Sequence, residues 1–585
     1  MQCMRLARLV VAVLVSFNLV ACGKTDRMSD ATDARPEPGG QADGGVPSYF
    51  CRTQTPDNPA GLKPIEYVDS SATVFSGANW RVAVEPETEV DTAVFPQAAP
   101  LESAMLLDLA DPAIQVAGFL VARSAGGASA LAELDRAQAA LGQVDEVDTV
   151  TTRVSGSNIV SLDGFDTVVR TVFEIRTSSA MDVTELRAAL VPALLERAPD
   201  TVSLPSVGWQ SGNDNRFIMV VQTLYRAEAG QTLFMGAVAR AFDYEDRDRE
   251  TGLHADDLAN GTGLTESLNG EARECEDEMV DHQGSADVVW VVDQSGSMSD
   301  DLDRIADDAE AFFSTASDLG LDFRMGVTDM NDSTGGLFAT RNADDSGERW
   351  IMPDEPSEFA AAIRDPSGPA TSDGLSENGL TQLQAALSHH LPRGDAGGLG
   401  IRADAELAVI IVTDEKAEEV EEAGILFDGN TQPDAEKEAA IATLLAPYQA
   451  ALAAEHAVVH LISEPLPFGS TCSTAGAEHA YGYYELVASL GGQMASICQV
   501  DLGATLDAMI DSIVGDASPV VLDYIPISST ITVMRNLAPV PRSRRHGWDY
   551  RASSNSIIFY GMPVNPAHPA QITIAYRRWH DQVVE

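Results

Sequence analysis

Asp293, Ser295 and Ser297 stand at alternate positions in ADVVWVVDQSGSMSD (residues 286–300), directly after the β-branched run Val288–Val292. A strand that ends this way delivers one carboxylate and two hydroxyls into a single turn. All three are hard oxygen donors, and a single negative charge is too little to enclose a cation. Such a set suits a divalent ion with octahedral oxygen coordination, Mg²⁺ first and Mn²⁺ or Ca²⁺ as alternatives, with positions left for water or an outside ligand. A carboxylate from another protein can fill such a position. The expected chemistry is therefore the gripping of a partner rather than turnover of a substrate.

Elements placed around this turn must hold it. Leu407–Thr413 (LAVIIVT) is apolar almost throughout and is followed by Asp414. Strands apolar on both faces belong inside parallel sheets, where ligands gather at the carboxyl ends. Strand-like runs at 286–292, 321–330, 407–413 and 457–463 alternate with helical spacing at Ser299–Leu319, Ala435–Ala454, Tyr481–Leu490 and Thr505–Val514. This alternation predicts an α/β domain over residues 284–516, a Rossmann-like doubly wound parallel sheet at the centre of the molecule. A metal-free alternative is a capped turn, with Ser297 capping a helix that opens with Asp300 and Asp301.

The flanks read differently. Residues 1–21 form a targeting segment, with Arg5 and Arg8 before the apolar stretch Leu9–Ala21. The run Leu19-Val20-Ala21-Cys22-Gly23 looks like a bacterial lipoprotein signal, in which Cys22 carries the lipid. Gly23 in place of Asp points to the outer membrane, facing the periplasm or the cell surface. Residues 22–47 are rich in Asp, Gly, Pro and Ser and read as a flexible tether. Residues 48–283 mix strand-like runs (115–122, 167–176, 216–225) with helical ones (128–141, 183–197), which predicts an α+β domain of unknown family. The carboxylate-rich stretch 243–257 lacks EF-hand spacing and reads as a solvated loop. In residues 517–585 short β-rich runs at 531–535, 556–560 and 571–576 are separated by Pro and Gly, as in a small β-sandwich. From Arg535 onward seven arginines face three acids, a local charge of +4 that suits docking on the acidic body.

The whole chain of 585 residues carries 37 Lys+Arg against 89 Asp+Glu, a net charge of −52. That field disfavours nucleic acid and anionic membrane surfaces as direct partners. Lysine occurs only at 24, 63, 416 and 437, so the basic residues are nearly all arginine. Apart from Cys3 and Cys22, four cysteines remain, and an oxidising compartment favours their pairing. Of three connectivities, Cys51–Cys275 in the N-terminal part and Cys472–Cys498 in the central part are the expected ones. No CxxC occurs.

Together, Asp293-x-Ser295-x-Ser297 and the later Asp414 in VIIVTDE resemble the von Willebrand factor type A family and its metal-ion-dependent adhesion site, over roughly 230 residues. A myxobacterial-like lipoprotein variant, seen in predatory and soil bacteria, is similar over Tyr483–Asp501 and implies that Cys498 bonds back to Cys472. The resemblance implies that Ser295 and Ser297 bind the metal directly while Asp293 and Asp414 act through water. It also implies a Thr from the loop before GLTQLQAAL. Thr371 is assigned that role, with Ser372 or Thr381 as alternatives and Glu377 within possible reach. The acids Glu415, Glu418, Glu419, Glu421 and Glu422 read as a solvated helix face. The function expected is a membrane-anchored lipoprotein that binds a carboxylate-bearing protein ligand through the cation.

Enzyme signatures are missing: there is no HExxH, GxSxG, Ser-x-x-Lys or Walker A. His389-His390 reads as the ordinary end of a helix. The alternative function is a cell-envelope or polysaccharide enzyme with a catalytic domain at 48–283 and a recruiting domain at 284–516.

Overall fold

The longest apolar runs of the chain lie side by side in one twelve-stranded sheet. Its order is Asp322–Asp329, Ser285–Val292, Glu406–Val412, Val458–Ser463, Met494–Ser496, Val147–Ile159, Thr167–Met181, Asp214–Arg226, Gln231–Arg240, Val116–Ser124, Ser103–Leu109 and Glu89–Thr92. The first five strands pair in parallel. The other seven pair antiparallel throughout. This computed structural model describes residues 66–69 and most of 79–579; stretches outside it include 1–65, 70–78, 94–101, 160–166, 340–347, 367–376, 465–478 and 580–585. The described residues belong to one compact unit, Tyr49–Glu585.

This architecture corrects the expectation of a doubly wound parallel sheet at the centre, preceded by an α+β domain and followed by a β-sandwich. Parallel pairing is confined to five strands, and those strands are one end of a sheet that is otherwise antiparallel. Met494–Ser496 is only three residues long, and its far edge is taken up by Val147–Ile159, with Met494 opposite Ser155. The C-terminal strands do not close on themselves as a sandwich. Ala570–Trp579 pairs along its whole length with Glu271–Val280, in a four-stranded sheet shared with Thr532–Arg535 and Ala538–Val540. Gly547–Arg551 and Ser556–Tyr560 form a separate hairpin. Apolar periodicity marks a strand as buried; it does not say which strand lies across its edge.

Within the parallel part, alternation along Val288–Val292 serves two cores. Val288, Trp290 and Val292 pack with Phe312, Phe313 and Phe359 on one face, and Val289 and Val291 pack with Leu380, Leu383 and Tyr483 on the other. Trp290 meets Phe359 edge-on at 5.1 Å between ring centres, a geometry that adds to simple area burial. The expected helix Ser299–Leu319 is two helices, Ser299–Asp307 and Ala309–Asp318, broken at Asp308. Ser297 does not cap the first of them, whose start has no side-chain cap. Among the described residues no helix is long and apolar enough to cross a membrane.

The expected solvated loop at 243–257 is another correction. It forms Ala241–Glu245 and Thr251–Ala259, with Asp243, Asp256 and Asp257 buried. Arginines provide the reason: Arg542 and Arg544 from the C-terminal segment pair with Asp257 and Asp256. Cys275 and Cys498 are both disulfide-bonded; Cys51, Cys472 and Cys22, the residue expected to carry lipid, lie outside the described residues.

Candidate functional site

Parallel registration aligns the carboxyl ends of the three strands that matter. The Asp293 N–H donates to Val412 O at 2.9 Å, and the Met330 N–H donates to Val292 O at 3.1 Å. Asp293, Asp329 and Thr413-Asp414 therefore leave the sheet side by side. The turn after Asp293 is fixed by its own carboxylate, which accepts from the Ser295 N–H at 2.7 Å on Oδ1 and from the Thr413 hydroxyl at 2.8 Å on Oδ2. Ser295 Oγ and Ser297 Oγ lie 2.9 Å apart, and the Ser297 hydroxyl donates to Asp414 Oδ1 at 3.2 Å. Four of the five residues expected at the site thus converge, although 117 positions separate Ser297 from Asp414. Thr371 and Ser372 lie outside the described residues. The Thr381 backbone N–H donates to Glu419 Oε1 at 2.8 Å.

Three further groups belong to the site and were not singled out from sequence. Thr413 holds Asp293 in place. Asp329 ends the neighbouring strand, and the repeated tripeptide Val-Thr-Asp at 327–329 and 412–414 is the signal that could have found it. Asn331 forms a β-bridge with Glu377 and so brings the start of the helix Gly379–His390 to the site. A Cβ at Gly379 would collide with the Tyr483 hydroxyl, so a side-chain-free residue is needed for this approach. Of the acids expected to be a solvated face, Glu421 and Glu422 are exposed, whereas Glu418 accepts from the Glu377 N–H at 2.6 Å and Glu419 is buried.

The electrostatics are one-sided. Asp293, Asp329 and Asp414 are 0%, 2% and 2% exposed. Burial raises the Asp293 pKa above the usual carboxylate range. Burial, then the Asp293 charge, pushes Asp414 up to about 7. Asp329 rises to about 6, chiefly by burial, with Asp293 adding to it. Glu377 is raised by burial, by Asp293 and by the Glu415 carboxyl to which it is hydrogen-bonded. Among the described residues no arginine or lysine is paired with Asp293, Asp329, Asp414 or Glu377.

Buried carboxylates without a counter-charge are strongly unfavourable, on the order of several kcal/mol per ion. Oδ2 of Asp414 and Oδ2 of Asp329 are buried without a hydrogen-bond partner. Two hydroxyls and flanking carboxylates with orphaned oxygens match the donor preference of a hard divalent cation. Among the described residues no three His, Cys, Asp or Glu side chains close together as a metal cage.

No family model matches the chain, and no curated protein matches it. Among solved structures, it is similar to the pilus adhesin SpaC from Lactobacillus rhamnosus GG in an open conformation (14% identity, TM-score 0.26, 53% of this chain and 41% of that one). It is also similar to the human COPII-coat protein Sec24c (9% identity, TM-score 0.24, 53% of this chain and 42% of that one). The chain thus spans about two fifths of each of these structures, and likeness at this level carries no functional argument.

Proposed function

We propose that this protein binds a carboxylate-bearing protein ligand through a divalent cation, Mg²⁺ first, held by Ser295 and Ser297 with Asp293 and Asp414 behind them. The single observation that supports this most is the meeting of Ser297 with Asp414 beside an orphaned, buried Asp414 oxygen. The resemblance of Asp-x-Ser-x-Ser and the later Asp to a metal-ion-dependent adhesion site agrees with it. The cation would offset the buried negative charge, and the ligand's Glu or Asp would complete its coordination. The reading includes a lipid anchor at Cys22, in the outer membrane, and no catalytic role.

A pull-down from envelope extracts in Mg²⁺ and in EDTA, with wild type and Asp293→Ala, tests this reading. The proposal expects partners retained only by wild type in Mg²⁺. Equal retention by folded Asp293→Ala in EDTA contradicts it.

A further inference from the structure

Away from the strand ends, a cavity of about 430 Å³ opens where the antiparallel strands, the helices Ala309–Asp318 and Leu502–Asp516, and the C-terminal hairpin meet. That volume falls within the range of small-molecule sites, roughly 300–1,000 Å³. We propose that this cavity binds a neutral saccharide of one or two rings.

Charge is the first argument. Four of the charged groups at the wall are matched to one another: Arg544 to Asp256 at 2.6 Å and to Asp549 at 2.8 Å, and Arg170 to Asp256 at 2.8 Å. An anionic ligand drawn to Arg170 or Arg544 would have to break such a pair, which is costly in a buried setting. The lining holds four arginines (170, 247, 544, 551) and six acids (245, 256, 308, 507, 511, 549), or 4 − 6 = −2, which further disfavours anions.

Hydrogen-bonding capacity is the second. Among the lining residues, Arg170 Nε is a buried donor without a partner, and Gln493 Oε1 and Asp511 Oδ1 are buried acceptors without a hydrogen bond. Arg247 faces Asp511 at 3.6 Å, too far for a direct hydrogen bond. Donors and acceptors interleaved in this way suit hydroxyls, each of which both gives and takes. Tyr244, Tyr550 and Tyr560 add ring surface to the same wall, and an apolar ring face with a polar tip suits the C–H face of a sugar.

The test is calorimetry and saturation-transfer NMR on the purified protein with glucose, N-acetylglucosamine and maltose, beside galacturonate as the anionic arm and spermidine as the cationic arm. At least one neutral sugar is expected to bind, with affinity unchanged by EDTA. Ala311→Trp, which crowds the mouth, and Arg247→Ala, which removes a donor, should each weaken binding about tenfold or more while melting temperatures stay close to wild type. The proposal is overturned if no neutral sugar binds, if only galacturonate or spermidine binds, if EDTA abolishes binding, or if both variants bind as wild type does.

Discussion

Where the C-terminal hairpin meets the helix Thr251–Ala259, Asp256, Asp257 and Asp549 are buried against Arg542 and Arg544, whereas at the ends of the parallel strands Asp293, Asp329 and Asp414 are equally buried with no guanidinium paired to them among the described residues. Burial alone would raise every one of these carboxyls. At Asp549 burial also acts upward, but Arg544 and Arg542 outweigh it and hold the group below the usual range. At Asp414 nothing outweighs it, and the group rises to about 7. Asp257, in the same cluster, is still raised by burial despite Arg542, but the first cluster draws its counter-charges from within the chain and joins segments distant in sequence. The second has no counter-charge among the described residues, and the proposed cation would supply one.

The sharpest way to break this contrast is Arg542→Ala. It leaves Asp257 and Asp549 buried and under-compensated and should destabilise the fold by about 3–5 kcal/mol, read by chemical denaturation. A loss under ~1 kcal/mol would mean that the first cluster is not held by its arginines. Next in size is the response to metal. Saturating Mg²⁺ at about 100 times its Kd should stabilise wild type by about 2.7 kcal/mol and leave Asp414→Ala unmoved; an equal shift in both variants would place the cation elsewhere.

Acid sharpens the comparison further. The Asp549 pKa is lowered in the fold, so its contribution is present above the ordinary carboxylate pKa and is lost as pH falls through the folded value. The stability gap between wild type and Asp549→Asn should therefore narrow in acid, by up to about 1.4 kcal/mol per pH unit across that window. A gap independent of pH would show that the charge of Asp549 is not what matters. The smallest effect is expected at Asp329. Removing one uncompensated charge by Asp329→Asn should stabilise the EDTA-treated protein by about 1 kcal/mol, measured by thermal unfolding, whereas clear destabilisation would argue that Asp329 has a compensating partner.

Much of the local structure was legible because burial writes its period into the chain. The helix Ala435–Ala454 and the strand Ser556–Tyr560 fall where their spacing predicts. Four donors of the site could be read because each sits one to five residues beyond an apolar run. Architecture could not be read in the same way. The partner of Met494–Ser496 lies more than 300 positions earlier in the chain, and the pairing of Glu271–Val280 with Ala570–Trp579 spans a similar distance. Nothing local encodes such an edge. The stretch 243–257 was misread for a related reason: a run of carboxylates looks solvated until the arginines that neutralise it arrive from 542 and 544.

Calorimetric titration of the folded, metal-stripped protein with Mg²⁺ and Mn²⁺, in parallel with Asp293→Ala, tests most directly whether the strand-end carboxylates are kept for a cation. One saturable site in wild type that disappears in the variant is the predicted result. Wild type that takes up neither ion, or a variant that takes them up with undiminished affinity, would contradict it.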